Sequence, residues 1–159
     1  MSPITLRPAG PADLDAIFEQ MRDPVSVRMA AFTAEDPTDR TASDAHMTRV
    51  LSSPQNVFRC IVEVRDPLVV GTIASFVDEG AREVTYWVDR AYWGRGIATR
   101  ALRLLLVQTP ERPVRARAAS DNVGSLRVLH KVGFHPIGTQ VSYAAGRAHE
   151  IEETILELA

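Results

Sequence analysis

Two glycines one residue apart mark the first place in this sequence where the residue types could do chemistry. The segment 93–98, WGRGIA, lies between the β-branched and aromatic stretch 83–88 and an Ala/Leu/Arg-rich stretch that begins near Ile97. The first stretch predicts a strand and the second a helix. Glycines at such a junction let the backbone amides turn inward, where the positive end of the helix helps them bind a phosphate-like anion. The pattern predicts a phosphorylated cofactor, although a tight turn without a ligand would also explain it.

A second marked segment follows the predicted helix. Residues 119–125, ASDNVGS, offer N-cap residues for a helix that Gly133 ends, and residues 131–134 read KVGF. Taken alone, Asn122 is most simply interpreted as the cap of that helix. The two segments together give the glycine turn a context that it lacks by itself.

The composition restricts the class of protein. A chain of 159 residues with 45% apolar and 24% charged residues is typical of one globular domain, residues 1–159. The net charge of −2 gives no basic field, so we expect no nucleic-acid partner. No apolar run is long enough to cross a bilayer and no signal-peptide pattern is present, so we expect no membrane partner.

Cys60 is the only cysteine, which excludes an intrachain disulfide and favours the cytoplasm. The histidines show no metal-ligand spacing with each other or with Cys60, and we expect no metal.

Hydrophobic periodicity places these segments in an alternating series of strands and helices. The predicted elements are a strand at 4–7, a helix at 11–21, a short helix or lid-like turn at 25–32, a helix at 36–52, strands at 57–64, 68–77 and 83–88 with turns at Asp66-Pro67 and 78–80, a helix from about 97 to before Pro110, a strand at 114–118, a helix after Asn122, and strands at 134–143 and 150–158. Cys60, in a strand of apolar residues, is predicted to be a small core residue. The series predicts an α/β (α+β) fold with a mostly antiparallel first half.

The two segments resemble the motifs of the GNAT superfamily of acyl-CoA-dependent N-acetyltransferases. The family motif (Arg/Gln)-x-x-Gly-x-(Gly/Ala) corresponds to residues 93–98, with Trp93 in place of the usual polar first residue. The second family segment, Asn-x-x-Ser followed by Lys-x-Gly-Phe, is present as Asn122 to Ser125 and Lys131 to Phe134. The Tyr-Trp-Gly form is most similar to the branch of ribosomal-protein N-terminal acetyltransferases and their small-molecule relatives.

This resemblance implies both a fold and a cofactor site. The fold would be a mixed, mostly antiparallel twisted sheet of about seven strands flanked by helices, with a splayed central strand pair that binds CoA. Backbone groups near Val88 would pair with the pantetheine arm of acetyl-CoA, and the Asn122 side chain would contact the same arm. The amides that would grip the pyrophosphate follow Trp93 and belong to Gly94, Arg95, Gly96, Ile97, Ala98 and Thr99.

The resemblance also names catalytic candidates. Glu83 is the candidate base, because related family members carry a glutamate at this point of the strand, and an exposed strand carboxylate is the alternative. Many members protonate the departing thiolate from a tyrosine at the position of Leu129, so the role moves to Ser125 or to a bound water. Ser125 as a surface hydroxyl remains open, and Tyr143 is a less favoured donor. The acidic segment 149–153, HEIEE, could attract a cationic amine or supply the base, or it could be a solvated edge strand.

The sequence thus predicts a cytoplasmic enzyme that moves an acetyl group from acetyl-CoA to a primary amine. Direct attack in a ternary complex is expected, because no activated cysteine or Ser-His pair suggests an acyl-enzyme. The acceptor is a peptide or protein N-terminal α-amine or a small-molecule amine, held by walls from residues 25–32 and the final hairpin. A non-catalytic acyl-CoA sensor and a nucleotide-phosphate binder are the alternatives. A homodimer is possible, because related proteins often pair through late strands.

Overall fold

One seven-stranded sheet organises the protein. The computed structural model describes residues 2–65 and 67–159 and arranges the strands in the order β1-β2-β3-β4-β5-β7-β6. The strands are β1 (Ile4–Pro8), β2 (Val57–Glu63), β3 (Val69–Asp78), β4 (Ala81–Val88), β5 (Val114–Ala119), β6 (His135–Ala144) and β7 (His149–Leu158). Each neighbouring pair is antiparallel except β4 and β5, which are parallel. The predicted mixed and mostly antiparallel sheet is confirmed. The turn predicted at Asp66-Pro67 includes Asp66, which lies outside the described residues.

Five α-helices flank the sheet in the described part of the chain. They are α1 (Leu14–Met21), α2 (Pro24–Ala30), α3 (Arg40–Ser52), α4 (Ile97–Gln108) and α5 (Val123–Val132). The helix predicted at 36–52 begins only at Arg40, because the Asp39 side chain accepts a hydrogen bond from the Ala42 amide at 3.0 Å and caps it there. Between the two options for 25–32, the structure shows a helix, with Pro24 in its first turn. Among residues 2–65 and 67–159, no helix is long and apolar enough to span a membrane.

Strand alternation divides the interior into two layers. On one face of the sheet, α4 and α5 pack over a core that includes Val84, Leu102 and Phe134. On the other face, Ile17 of α1 and Met47 of α3 pack on β2. Cys60 is fully buried in this second layer, which confirms its predicted core position. Because side chains alternate along a strand, residues 84, 86 and 88 of β4 face α4 and α5, whereas 83, 85 and 87 face the opposite layer.

The parallel pairing of β4 with β5 is short. The two strands pair only at Arg82 with Val114 and at Glu83 with Arg115. Beyond these pairs β4 continues to Val88 and β5 to Ala119, so the two strands part toward their carboxyl ends. We call the space that opens there the β4–β5 gap. The splayed central strand pair predicted for the fold is confirmed.

Gly71 of β3 pairs with Val88, the last residue of β4. A Cβ atom built on Gly71 would meet the Trp87 carbonyl oxygen and would lie 3.1 Å from the Val88 Cα. Only a residue without a side chain permits this approach of the two backbones. Gly71 therefore fixes the end of β4 that borders the gap.

We predict that Gly71→Ala destabilises the protein by about 2 kcal/mol, because the added methyl group must push the β4 backbone away. The matched control is Gly138→Ala in β6, where a Cβ would meet nothing within 4 Å. The control should change the free energy of unfolding by less than about 0.5 kcal/mol. Urea denaturation of both variants measures the difference. Equal stability of the two variants would show that the close approach is not a constraint.

Candidate functional site

The turn between β4 and α4 has the backbone that its glycines predict. Gly94 and Gly96 have φ values of 78° and 71°, in the left-handed region that side chains rarely adopt. Gly96 is the N-cap of α4 and offers no side chain to the first amides of that helix. A Cβ built on either glycine would meet no atom within 4 Å, so the turn borders open space. The turn is thus shaped to offer free amides to an anion.

Arg100, near the start of α4, holds the glycine turn in place through hydrogen bonds to backbone oxygens. Its guanidinium donates to the carbonyl oxygens of Arg95 at 3.2 Å, Gly96 at 3.4 Å and Ser2 at 2.6 Å. A cavity of about 400 Å³ beside the turn is lined by Ser2, Glu63, Arg95, Ile97 and Arg100. No sequence motif identifies Arg100, because its partners are backbone oxygens. Two arginines therefore add positive charge next to the turn.

The backbone of Val88 faces the β4–β5 gap. The Asp89 amide donates to the Val70 carbonyl at 2.8 Å, so Asp89 and Val70 form a hydrogen-bonded pair of the antiparallel ladder. The next residue inward, Val88, must direct its N–H and C=O to the other side, where the gap lies. The Trp93 indole donates to the Val88 carbonyl at 2.9 Å. The structure brings these two predicted cofactor residues into contact, and the carbonyl keeps a second lone pair.

Asn122 is the N-cap of α5. Its Oδ1 accepts from the Ser125 amide at 3.2 Å, and its Nδ2 donates to the Met29 carbonyl of α2 at 3.4 Å. The capping role considered from the sequence is therefore present. A contact with pantetheine stays a prediction, and it would add to these hydrogen bonds or replace the long one to Met29.

Glu83 is not an exposed strand carboxylate but belongs to a buried charged cluster. The Arg117 Nε of β5 donates to Glu83 Oε1 at 2.9 Å, and Arg117 Nη1 lies 3.6 Å from Glu153 Oε1 of β7. The side chains of Glu83 and Glu153 are only 7% and 9% exposed, and that of Arg117 is 22% exposed. We call these three residues the Glu–Arg–Glu cluster. It lies on the sheet face opposite α4, beside the point where β4 and β5 part.

Burial and ion pairing have opposite effects on the pKa of Glu153 in this cluster. Burial raises the pKa of Glu153, against the lowering effects of Arg117 and of a hydrogen bond from Gln140 at 3.3 Å. The hydrogen bond to Glu83, with the charges of both carboxylates, raises the pKa of Arg117 and keeps it cationic. The cluster therefore has two carboxylates for one guanidinium, and Glu153 is a member of the acidic last strand that sequence analysis marked as a possible base.

Ser125, on the first turn of α5, contacts a residue of β4 that sequence analysis missed. The Tyr86 hydroxyl lies 2.7 Å from Ser125 Oγ and 3.3 Å from the Ser125 carbonyl oxygen. Leu129 is buried in the main core, where a tyrosine would stand in many relatives. Tyr143 is 62% exposed on β6, the outer strand of the sheet, with β7 and β5 between it and the gap. The alternation of side chains along β4 could have identified Tyr86 from the sequence, because it places Tyr86 on the same face of the strand as Val88.

The predicted acceptor walls adjoin each other. The Gly146 amide, in the turn between β6 and β7, donates to the Ala31 carbonyl just after α2 at 2.8 Å. Arg147 in the same turn donates to the Arg28 carbonyl at 2.6 Å and forms a two-bond ion pair with Asp121 at 2.8 Å. The hairpin turn, the end of α2 and the loop before α5 therefore form one braced wall. No group of three or more possible metal-ligating His, Cys, Asp or Glu side chains occurs in the described parts, 2–65 and 67–159.

We predict that Arg117→Met destabilises the protein by about 3 kcal/mol at neutral pH, because two buried carboxylates lose their cation. Burial already raises the pKa of Glu153, and without Arg117 it should rise further. A carboxyl whose pKa is higher in the folded state contributes stability at low pH and loses it as pH rises. The deficit should therefore be smaller at about pH 5 than at about pH 7.

The matched control for this prediction is Arg115→Met, on the same strand and the same face. Arg115 pairs with Glu157 at 3.2 Å, and both side chains are partly exposed. Its loss should cost less than about 1 kcal/mol, with little pH dependence. Denaturation curves at both pH values measure the two variants. A deficit of Arg117→Met that did not shrink on acidification would contradict the assigned charge states.

Comparisons with known proteins identify the family. Residues 4–135 match the model of the acetyltransferase (GNAT) domain. The probable N-acetyltransferase YjcK of Bacillus subtilis (strain 168) is 34% identical over 86 residues, a match that spans 49% of this chain and about half, 48%, of that relative. Two of the solved structures that share the fold are acetyltransferases. The microcin C7 self-immunity acetyltransferase MccE, in complex with acetyl-CoA and AMP, matches with a TM-score of 0.82 and 13% identity over 98% of this chain and 92% of that chain. The ribosomal L7/L12 α-N-protein acetyltransferase RimL, in complex with coenzyme A, matches with a TM-score of 0.78 and 18% identity over 98% of this chain and 94% of that chain. The resemblance of the motifs is thereby confirmed, and the chain belongs to the GNAT acetyltransferase family.

Proposed function

We propose that this protein transfers an acetyl group from acetyl-CoA to a primary amine by direct attack within a ternary complex. The observation that carries this proposal is the opening of the β4–β5 gap directly beyond Glu83, between the glycine turn and the Glu–Arg–Glu cluster. One opening thus adjoins an anion site, free strand backbone and ionisable side chains. A non-catalytic acyl-CoA sensor would need the first two features only.

The donor half of the reaction uses the glycine turn and the end of β4. The pyrophosphate would bind the amides of residues 94–99, at the positive end of α4. The pantetheine arm would continue along Val88, whose backbone groups face the gap, with Trp93 and Asn122 at its sides. The arm would then behave as an added strand between β4 and β5, which leads the thioester toward the point where the strands meet.

The acceptor half needs a proton acceptor for the amine, and we assign it to Glu83 in the Glu–Arg–Glu cluster. Two carboxylates and one guanidinium carry a net charge of −1. Uptake of one proton would make the cluster neutral, which is favourable in a buried place. Glu153, whose pKa is raised by burial, is the partner that can share the proton with Glu83. A water chain between the amine and these carboxylates would serve equally.

The demand on this base depends on the acceptor. An α-amine has a pKa near 8, so its deprotonation at about pH 7 costs about 1.4 kcal/mol, whereas a lysine amine costs about 4.6 kcal/mol. A carboxylate is a weak base and suits the first case better. The acceptor would therefore be a peptide N-terminal α-amine or a small-molecule amine of similar pKa, enclosed by the braced wall.

The bond changes then follow. The neutral amine nitrogen attacks the thioester carbonyl carbon, and the N–H proton that it loses goes to the cluster, which later releases it to solvent. The C–S bond breaks with its electron pair on sulfur, and the sulfur takes a proton from the Ser125 hydroxyl, which recovers one from solvent. The products are the acetylated amine and CoA thiol. We expect this chemistry in the cytoplasm. If the chain forms a homodimer, we expect it to pair through β6, the later in sequence of the two edge strands β1 and β6.

An acetyl-CoA turnover screen over N-terminal peptides and small-molecule amines tests the proposal. With an active amine, we predict that Glu83→Gln lowers kcat/KM by about a hundredfold while acetyl-CoA affinity stays unchanged. The matched control is Glu157→Gln, a partly exposed carboxylate paired with Arg115, which should retain turnover. Binding of acetyl-CoA without turnover of any amine would favour the sensor interpretation. Absence of CoA binding would overturn both.

A further inference from the structure

The hydroxyl groups of Tyr86 in β4 and Ser125 in α5 meet beside the β4–β5 gap. Tyr86 lies three residues beyond Glu83, the last residue of β4 that pairs with β5. Its ring packs against the core below α4 and α5, and its hydroxyl reaches Ser125 Oγ at 2.7 Å. The hydroxyl pair therefore lies on the α5 side of the β4–β5 gap, and the Glu–Arg–Glu cluster lies on the opposite side of the sheet.

We propose that Tyr86 is a positioning residue for thiolate protonation, in which its hydroxyl donates to Ser125 Oγ and thereby directs the serine hydrogen toward the sulfur. This inference rests on the proposed function and deepens the role of Ser125. A contact of 2.7 Å between two hydroxyls contains one hydrogen, supplied by either partner. The phenol hydrogen has two acceptors in reach, Ser125 Oγ at 2.7 Å and the Ser125 carbonyl oxygen at 3.3 Å, and Oγ is the nearer. Donation to Oγ is the arrangement that leaves the serine hydrogen free for a third atom.

Two further observations describe the state of this pair. Burial raises the pKa of Tyr86 to about 12, so the phenol keeps its hydrogen throughout the neutral range. The Ser125 amide is held by Asn122 Oδ1 at 3.2 Å, which fixes the serine backbone at the start of α5. The tyrosine thus always has a hydrogen to donate, and the serine backbone is held beside it.

The hydrogen bond should matter most while sulfur takes its proton. As the C–S bond breaks, the electron pair moves to sulfur, the serine O–H bond breaks, and an S–H bond forms. Negative charge then develops on Ser125 Oγ until solvent returns a proton. A hydrogen bond to a charged oxygen is about twice as strong as one to a neutral oxygen. Tyr86 therefore stabilises the transition state more than the bound substrate, so its loss should appear in kcat.

Steady-state kinetics of Tyr86→Phe, Ser125→Ala and the double variant test this inference with an amine that the wild type acetylates. Tyr86→Phe keeps the ring and should lower kcat about tenfold, with the KM for acetyl-CoA within about twofold of wild type. In the Ser125→Ala background, the same change should lower kcat less than about twofold, because the tyrosine then has no Oγ to act on.

The matched control is Thr109→Val at the end of α4, which removes a buried hydroxyl and its 2.9 Å hydrogen bond to Leu105. It should lower the melting temperature and leave kcat unchanged. Thermal melts and CoA titrations of every variant separate a folding defect from a kinetic one. A wild-type kcat in Tyr86→Phe, or equal losses in both serine backgrounds, would overturn the inference. Full activity of Ser125→Ala together with an inactive Glu83→Gln would also overturn it while the proposed acetyl transfer stands.

Discussion

The early end of the parallel pairing between β4 and β5 is the constraint on which the candidate site depends. Two residue pairs hold the strands together, and beyond Glu83 their backbones separate. The separation leaves the N–H and C=O groups of Val88 directed into an open space, which a continuous sheet would have filled with another strand. The glycine turn follows at the end of β4, so a ligand that binds the turn can extend along the strand. The free side of Val88 and the path for a ligand along β4 both exist because β5 separates from β4 after two residue pairs.

Alternation along β4 then separates the two proton-transfer candidates. Glu83 faces the layer that contains α1 and α3, and Tyr86 faces α5 with Ser125. An acyl group in the gap would have carboxylates on one side and hydroxyls on the other. This division suits a reaction that removes a proton from the attacking amine and adds one to the departing sulfur. The charged side is also the more strongly constrained one, because burial of two carboxylates is tolerable only with Arg117 between them.

The sequence predicted the features that depend on neighbouring residues. The glycine turn was predictable because left-handed φ angles favour glycine, and the strands because their side chains alternate. The start of α3 was misplaced because Asp36 and Asp39 are both suitable caps, and only Asp39 bonds the helix. Arg117 and Tyr86 were missed because their partners come from other elements. Arg117 joins β4 to β7, which are distant in sequence and are brought close by the strand order β4-β5-β7.

The two sides of the gap are also coupled through the register of β4. A slip of one residue would turn Glu83 toward α5 and Tyr86 toward the charged layer, and both candidate groups would lose their partners together. Gly71 opposes such a slip, because only a glycine lets β3 lie so close to Trp87 and Val88. A single backbone contact at the end of β4 thus helps to fix the positions of the proposed base and the proposed proton donor at once.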